Sequence, residues 1–391
     1  MSSSYDVVVV GAGIHGAGVA QAAAAHGYRT LVLEETRVAG ATSSRSSKLI
    51  HGGLRYLEQF QLGLVRECLR ERELLLKLAS ELVRMRRFRI PVYRETRRRP
   101  WQLRSGLSLY ALLAGLGPHS RFRSLPRREW ADLDGLATPG LQAVFEYQDG
   151  QTDDAALTQA VLHSAMDLGT ELRMPARFLG AERVSGGIEI SYEQDGQAQS
   201  CLSRTLVNAA GPWVTEVAAR IRPAPPPVPV DLVQGTHLLL DLPSRESIYY
   251  MEVPRDGRAV FLMPWKGASL LGTTENLFGG DDPATVTPQA EERQYLTQLM
   301  EHYFPGVGFK VTGSFAGLRV LPQSSGRPFD RGRELILQGD APQRPSVLSL
   351  YGGKLTSYRA DAEKVIGKLL PALPERKAVA DTRRLGLKPV A

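Results

Sequence analysis

The chain opens on a short apolar run, residues 5–10 (YDVVVV), interrupted only by Asp6. A continuous apolar run of this length predicts a strand buried on both faces. Gly11-Ala12-Gly13-Ile14-His15-Gly16 follows, then an alanine-rich stretch reaching His26, a composition that favours helix. Gly27 marks the helix end. A second run, TLVLEE (30–35), finishes on acids. Strand, glycine turn, helix and strand within about 30 residues predict a βαβ unit.

Beyond this unit the pattern changes repeatedly. Residues 41–53 (ATSSRSSKLIHGG) are a polar loop, and 54–83 carry Leu, Val and Cys at helical spacing. An arginine-rich segment follows, containing an apolar stretch, 105–117, too short to span a bilayer. Residues 149–169 begin with cap chemistry at Thr152, Asp153 and Asp154 and continue as helix. Several short strands are expected over 171–208. Residues 222–230 hold five prolines in nine positions and read as a stiff connector between domains. Residues 235–275 read as strands, 288–303 as helix, and 348–370 as strand, double glycine and helix. No internal repeat is present. Nucleotide-type segments recur at the start, near 205–213 and after 315. The expected layout is therefore a discontinuous nucleotide-binding domain (1–83, 150–229 and 315–391) interleaved with a second domain (84–149 and 230–314). The fold class is α/β (α+β).

Composition narrows the function classes. At 391 residues the chain is long enough for two domains. Its 43% hydrophobic and 23% charged residues are ordinary for a globular protein. The two cysteines, Cys68 and Cys201, have no metal spacing, so neither a disulfide framework nor a metal site is expected, and a reducing compartment is. The N-terminus lacks the basic-then-apolar pattern of a signal peptide. The net charge of +7 is concentrated: residues 84–128 hold 13 arginines, no lysine and a single acid, Glu95. Nucleic-acid binding by this segment would call for interleaved aromatics or a known module, and neither is clear, so no nucleic-acid partner is expected. Arginines flanking Trp101 and the apolar stretch instead suit a segment lying on anionic lipid.

The chemistry begins at the glycine turn. Gly11 and Gly13 allow a tight turn and close approach of a pyrophosphate to the helix N-terminus, and Gly16 lets helix pack on strand. Glu34, at the end of the second strand, can accept from ribose hydroxyls. This motif does not separate FAD from NAD. In the 41–58 loop, Thr42, Ser43, Ser44, Ser46 and Ser47 offer hydroxyls, and Lys48 and Arg55 offer cations. Following the dinucleotide motif so closely, the loop is expected to fold over a cofactor.

These stretches together resemble one family. GAGIHGAGVA, VLEE, GATSSRSSKLIHGGLRYLE and LVRECLRERELLLKLA, then NAAGPWV (208–214), QGTHLLL (234–240), MPWKGASLLGTTE (263–275), AGLRVLP (316–322) and YGGKLTSYR (351–359), closely resemble the FAD-dependent, quinone-linked glycerol-3-phosphate dehydrogenases of the D-amino-acid-oxidase-like superfamily. The likeness runs in order from residue 5 to about 370. It implies a Rossmann-like FAD-binding domain interleaved with a β-sheet substrate domain, and FAD as cofactor. Gly11, Gly13, Ile14, His15, Gly16 and Glu34 would hold its pyrophosphate and ribose. Thr42, Ser43, Ser47, Lys48 and Leu49 would line its phosphate and flavin portions. Residues 208–213, with Ala210, Gly211 and Trp213, would pass near the dinucleotide. Gly353, Lys354 and Leu355 would sit at a helix N-terminus facing the flavin. Arg55, Arg319 and Lys354 would converge on the substrate phosphate, each cation contributing roughly 4 kcal/mol of gross Coulomb attraction at about 4 Å. Tyr56 and Thr356 would add hydroxyl donors.

The reaction so implied is oxidation of sn-glycerol 3-phosphate to dihydroxyacetone phosphate, with hydride passing to flavin N5 and electrons to quinone. Removing the hydroxyl proton needs a base near neutral pKa. His51 and His237 both suit, and Lys354 or an arginine such as Arg319 stays open. Three departures from the pattern stand out: His15 where Asn is common, Glu275 where Asp is common, and a divergent stretch at 323–337. Members also commonly continue into a C-terminal helical domain beyond the point where this chain ends. Alternatives are a flavin oxidase using O2, or a flavoenzyme acting on another 2-hydroxy or amino acid. Expected partners are the small substrate, quinone, an anionic membrane surface through 84–128, and a second copy of the chain as homodimer. Expected location is the cytoplasmic face of the inner membrane, or the cytoplasm.

Overall fold

A computed structural model describes residues 4–243, 245–323, 331–332 and 334–390. Two large sheets organise them. The first contains five parallel strands in the order Glu171–Arg173, Thr30–Leu33, Ser4–Val10, Gln197–Asn208 and Val347–Tyr351. Numbered along the chain this is 3-2-1-4-5, so the winding reverses between Ser4–Val10 and Gln197–Asn208. A crevice opens at the carboxyl ends of two strands where the winding reverses, and ligands bind there in open α/β sheets. An antiparallel meander, Arg177–Val184 and Gly187–Gln194, extends the sheet from the first half of Gln197–Asn208.

The helix after the glycine turn is Ile14–Ala25. It is buried on nearly every side, between the sheet and the helices Asp154–Asp167 and Tyr358–Leu369, which explains its alanines. A Cβ on Gly18 would stand 2.9 Å from the Tyr358 ring. Small residues are the condition for three-sided packing.

The second sheet is mostly antiparallel. It runs from Asn276–Leu277 through Val230–Leu240, Ala268–Gly272, Ala259–Trp265, Ser247–Glu252, Val83–Tyr93 and Leu141–Thr152 to Leu49–Ile50, with Val311–Pro322 also paired to Val230–Leu240. Its strands alternate in the expected way. Tyr249 and Met251 enter a core shared with helix Ala290–Tyr303, whereas Ile248 and Tyr250 enter another shared with helices Leu62–Leu78 and Pro100–Leu113. The proline-rich 222–230 stretch joins Ile221–Arg222 of the first sheet to Val230–Leu240 of the second.

Several boundaries differ from expectation. Residue 315 falls inside Val311–Pro322, and residues 83 and 150 fall inside strands of the second sheet. Helix Leu62–Leu78 gives Val65 and Leu69 to one core and Leu75 to the other, so it belongs to neither half alone. Of the divergent 323–337 stretch, positions 324–330 and 333 lie outside the described residues. No described helix is long and apolar enough to cross a membrane.

The arginine cluster is also less free than its sequence suggests. Arg89 pairs with Glu146 at 3.3 Å, and Arg123 with Glu146 and Glu129 at 3.0 Å. Arg87 pairs with Glu246, and Arg98 with Glu58 and Glu252. All these carboxylates except Glu129 come from other strands or turns, invisible to a local charge count. Helix Pro100–Leu113 likewise buries Leu103, Leu107, Tyr110 and Ala111 and is not wholly an anchor. Its other face leaves Trp101 and Leu112 exposed, and Leu116 and Phe60 are exposed as well.

Candidate active site

The glycine turn lies where the winding of the first sheet reverses. Gly11 has φ +100, and a Cβ there would stand 2.7 Å from the Ala209 carbonyl. Helix Ile14–Ala25 starts at Gly13 without a side-chain cap at Gly13 and without an acid in its first turn. Such a terminus leaves backbone N–H groups and a positive dipole end for an anion. Ile14 N–H donates to Ser43 Oγ at 2.9 Å, fastening the serine loop over the turn. The Glu34 carboxylate, just past the second strand, accepts from Ala12 N–H at 2.8 Å and Thr36 N–H at 2.9 Å. On the other side Asn208 binds Val214 O and Ser349 Oγ, shaping the loop of Ala210, Gly211 and Trp213. A helix N-terminus whose cap residue, Gly13, supplies no side chain, a fixed carboxylate and a glycine cradle at one crevice fit a dinucleotide.

The serine loop is held by tertiary contacts. Thr42 Oγ1 donates to Leu318 O at 2.7 Å, and Ser46 Oγ to Asp154 at 2.6 Å. Lys48, expected along the cofactor, turns its ammonium inward from this loop. Its ammonium pairs with Asp154 at 2.7 Å and both side chains are buried. Asp154 opens a helix, where its charge favours the macrodipole and also recruits Lys48. Leu49 sits in the short strand at the edge of the second sheet.

Next comes the 51–56 turn. Gly52 lacks room for a side chain because Leu69 and the Tyr110 hydroxyl would each lie 2.7 Å from its Cβ. Its bareness thus serves the packing beneath it. Gly52 N–H donates to Tyr110 Oη at 2.8 Å, and Tyr110 donates to Asp149 at 2.6 Å. Asp149 is paired in turn with Arg72 at 2.6 Å. Burial and the Asp149 charge push the Tyr110 phenol well above its ordinary value, so it stays a donor. Gly53 has φ +77, the left-handed region that only glycine enters freely.

A cavity of about 100 Å³ lies between this turn and the second sheet, and His51, Arg55, Tyr56, Glu275 and Arg319 share its lining. Arg319 donates to Glu275 at 2.6 Å, and Arg55 stands 4.0 Å from the same carboxylate. The Lys354 ammonium lies 3.9 Å from the Tyr56 ring centroid, close enough for a cation–π contact. His51 N–H donates to Thr356 Oγ1 at 3.1 Å, tying the turn to the segment after the double glycine. Of the residues expected at the substrate, Arg55, Tyr56 and Arg319 therefore share one cavity, Lys354 joins through Tyr56, and Thr356 through His51.

Two expectations change. Gly353, Lys354 and Leu355 precede the helix, which begins at Tyr358 with Ser357 at its cap. Gly352 and Gly353 have φ +80 and +89 and cannot be helical, so the dipole end lies further along the chain. His15 packs against Gly353 and stands 3.6 Å from Asp361. His237 is fully buried, stacked on Phe315, with Nε2 3.1 Å from Ser47 Oγ. Burial, aided by Arg319 and Lys48, holds its imidazole well below the usual histidine value. Its partner Ser47 lines the cavity. Sequence reasoning missed Arg258, Tyr250 and Thr273 in the lining. They lie on or beside strands of an ordinary pattern, and no local signal marks them.

A family model described as FAD-dependent oxidoreductase (DAO) matches residues 6–359. The chain belongs to that family. FAD is its cofactor, and the resemblance read from the motifs is borne out. This FAD-dependent oxidoreductase is 36% identical over 379 residues to a glycerol-3-phosphate dehydrogenase of Pseudomonas aeruginosa, covering 95% of this chain and 72% of the relative. It is 34% identical over 381 residues to a D-erythritol 1-phosphate dehydrogenase of Brucella abortus, covering 95% and 74%. In fold it is similar to the glycerol-3-phosphate dehydrogenase of Bacillus halodurans complexed with FAD, at a TM-score of 0.77 and 23% identity, covering 98% and 68%.

Proposed function

We propose that this oxidoreductase oxidises sn-glycerol 3-phosphate to dihydroxyacetone phosphate. The observation that carries the reading is the pairing of two arginines, Arg55 and Arg319, with His51 in one small cavity. Arginine forks suit a phosphate, and a small polyol phosphate offers little else to grip. The relatives named for glycerol 3-phosphate and erythritol 1-phosphate support the same class of substrate. Arg55 and Arg319 bind the phosphate and so fix the carbinol carbon, an orientation effect. His51, which lines the cavity, takes the hydroxyl proton, whereas His237 holds Ser47 in place. Bound FAD supplies the hydride acceptor, and a membrane quinone takes the electrons onward.

The exposed Trp101 (69%), Leu112 (61%) and Leu116 (67%), with the exposed Arg84, Arg104 and Arg121 in the same segment of chain, support docking on an anionic bilayer surface at the cytoplasmic face. Each basic residue near such a surface contributes about 1 kcal/mol.

Anaerobic addition of glycerol 3-phosphate to the yellow holoenzyme tests the chemistry. Bleaching is expected, and an unchanged flavin spectrum overturns the reading. Peroxide yield against quinone-dye reduction on one preparation separates a dehydrogenase from an oxidase. Co-sedimentation with phosphatidylglycerol vesicles, absent with phosphatidylcholine, is the outcome expected for the surface.

A further inference from the structure

The proposed phosphate site already contains an anion. Glu275 is 6% exposed in its side chain, and its carboxylate lies 2.6 Å from Arg319 and 4.0 Å from Arg55. All three residues line the cavity. The local build holds the carboxylate there. Arg258 donates to the Glu275 carbonyl at 3.2 Å, and the neighbouring Thr274 and Asn276 side chains donate to the buried Glu292 at 2.6 and 3.0 Å. Glu292 also accepts from Thr236 and Gln234, flanking Gly235, and a Cβ on Gly235 would lie 3.1 Å from the Arg319 guanidinium. The Glu275 backbone and the strand beside Arg319 are thus held by the same buried carboxylate.

Two guanidinium groups sharing a small cavity repel one another and lose hydration, and a carboxylate between them relieves both costs. The same carboxylate opposes a second anion. We infer that Glu275 is a built-in counter-anion, and that a phosphate-bearing substrate binds by taking Arg319 over from it. The inference rests on the substrate class proposed above and adds a residue that sets affinity. Arg319 cannot give both N–H edges to phosphate while one is committed to Glu275, so the side chains exchange partners on binding. Affinity for anions is thereby lowered in a way that favours release of the phosphorylated product.

Calorimetric titration of the holoenzyme with sodium sulfate, a dianion of phosphate size and shape, provides the test, with sodium nitrate as monoanion. Glu275→Gln is expected to bind sulfate about tenfold more tightly than the parent or better, with a smaller gain for nitrate, because Coulomb repulsion scales with ligand charge. Its KM for glycerol 3-phosphate is expected to fall in parallel. Glu275→Asp, which keeps the charge, is expected to stay within about threefold of the parent. Unchanged or weaker sulfate binding by the Gln variant overturns the inference, as does a tenfold gain in the Asp variant. Should the Gln protein not fold, the Asp variant and Glu275→Met decide by the same criteria. Bleaching of the parent flavin by glycerol 3-phosphate is measured separately. A failure there removes the proposed substrate and leaves the sulfate result to judge Glu275.

Discussion

At the scale of single residues, burial decides what a charged group can do. Lys48 and Asp154 are a buried pair, and removing one partner leaves the other uncompensated. Lys48→Met is therefore expected to destabilise the fold by about 3–5 kcal/mol, with a smaller loss when Asp154→Leu is added. Equilibrium denaturation of the two variants checks the order. His237 sets a pH dependence. Its folded pKa lies below the unfolded value near 6.5, so the unfolded chain binds the extra proton first. The stability it contributes is present above about pH 6.5 and is lost as pH falls towards the folded pKa, by up to about 1.4 kcal/mol per pH unit. Thermal unfolding between pH 7.5 and pH 5 should show a shallower slope in His237→Asn. Arg55→Ala should raise KM for the phosphorylated substrate by about tenfold or more while flavin content stays unchanged, since one arginine–phosphate contact is worth roughly 1.5–3 kcal/mol. The place of Arg55 in the same cavity as Arg319 agrees with the motif that carries it. The inward turn of Lys48 was not legible in the sequence, because its partner lies 106 positions away.

At the scale of elements, the 51–56 turn is shaped from below. Helix Pro100–Leu113 contributes Tyr110 to that support, although the same stretch read as a surface anchor. Both readings describe one helix, with Tyr110 on its buried face and Trp101 on the other. Tyr110→Phe leaves the Gly52 N–H and the Asp149 carboxylate each short of a partner, at an expected cost of about 1–3 kcal/mol. Because the turn carries His51 and Arg55, turnover should fall together with stability. Intact stability with reduced turnover would assign Tyr110 to positioning alone. Gly52→Ala is expected to be worse, because Leu69 and Tyr110 must both move. Element type was legible from period and glycine placement. Element ends were less so, since the helix after the double glycine begins only at Tyr358.

At the scale of the whole molecule, FAD is expected to act as a structural ligand. It binds the folded state and not the unfolded one, so flavin removal should lower Tm, and excess FAD should restore it in a concentration-dependent way. Helix Leu62–Leu78 feeds both cores, so loss of the cofactor should weaken the second sheet as well as the first. A single coincident transition by near-UV circular dichroism and flavin fluorescence is the expected result.

Alone, the sequence determined what is local or carried by motif: the βαβ unit, the dinucleotide turn, the proline connector, the family and its flavin. Hydrophobic period and glycine φ act over a few residues, so they can be read directly. Only the tertiary structure decided which distant groups meet. It placed Asp149 under Gly52, Asp154 against Lys48, Glu146 and Glu252 among the arginines, and Glu275 between Arg55 and Arg319. Those pairings depend on strand register and sheet order, which join residues far apart along the chain. A local pattern does not encode them, and through them the same charges become structure in one place and a candidate binding site in another.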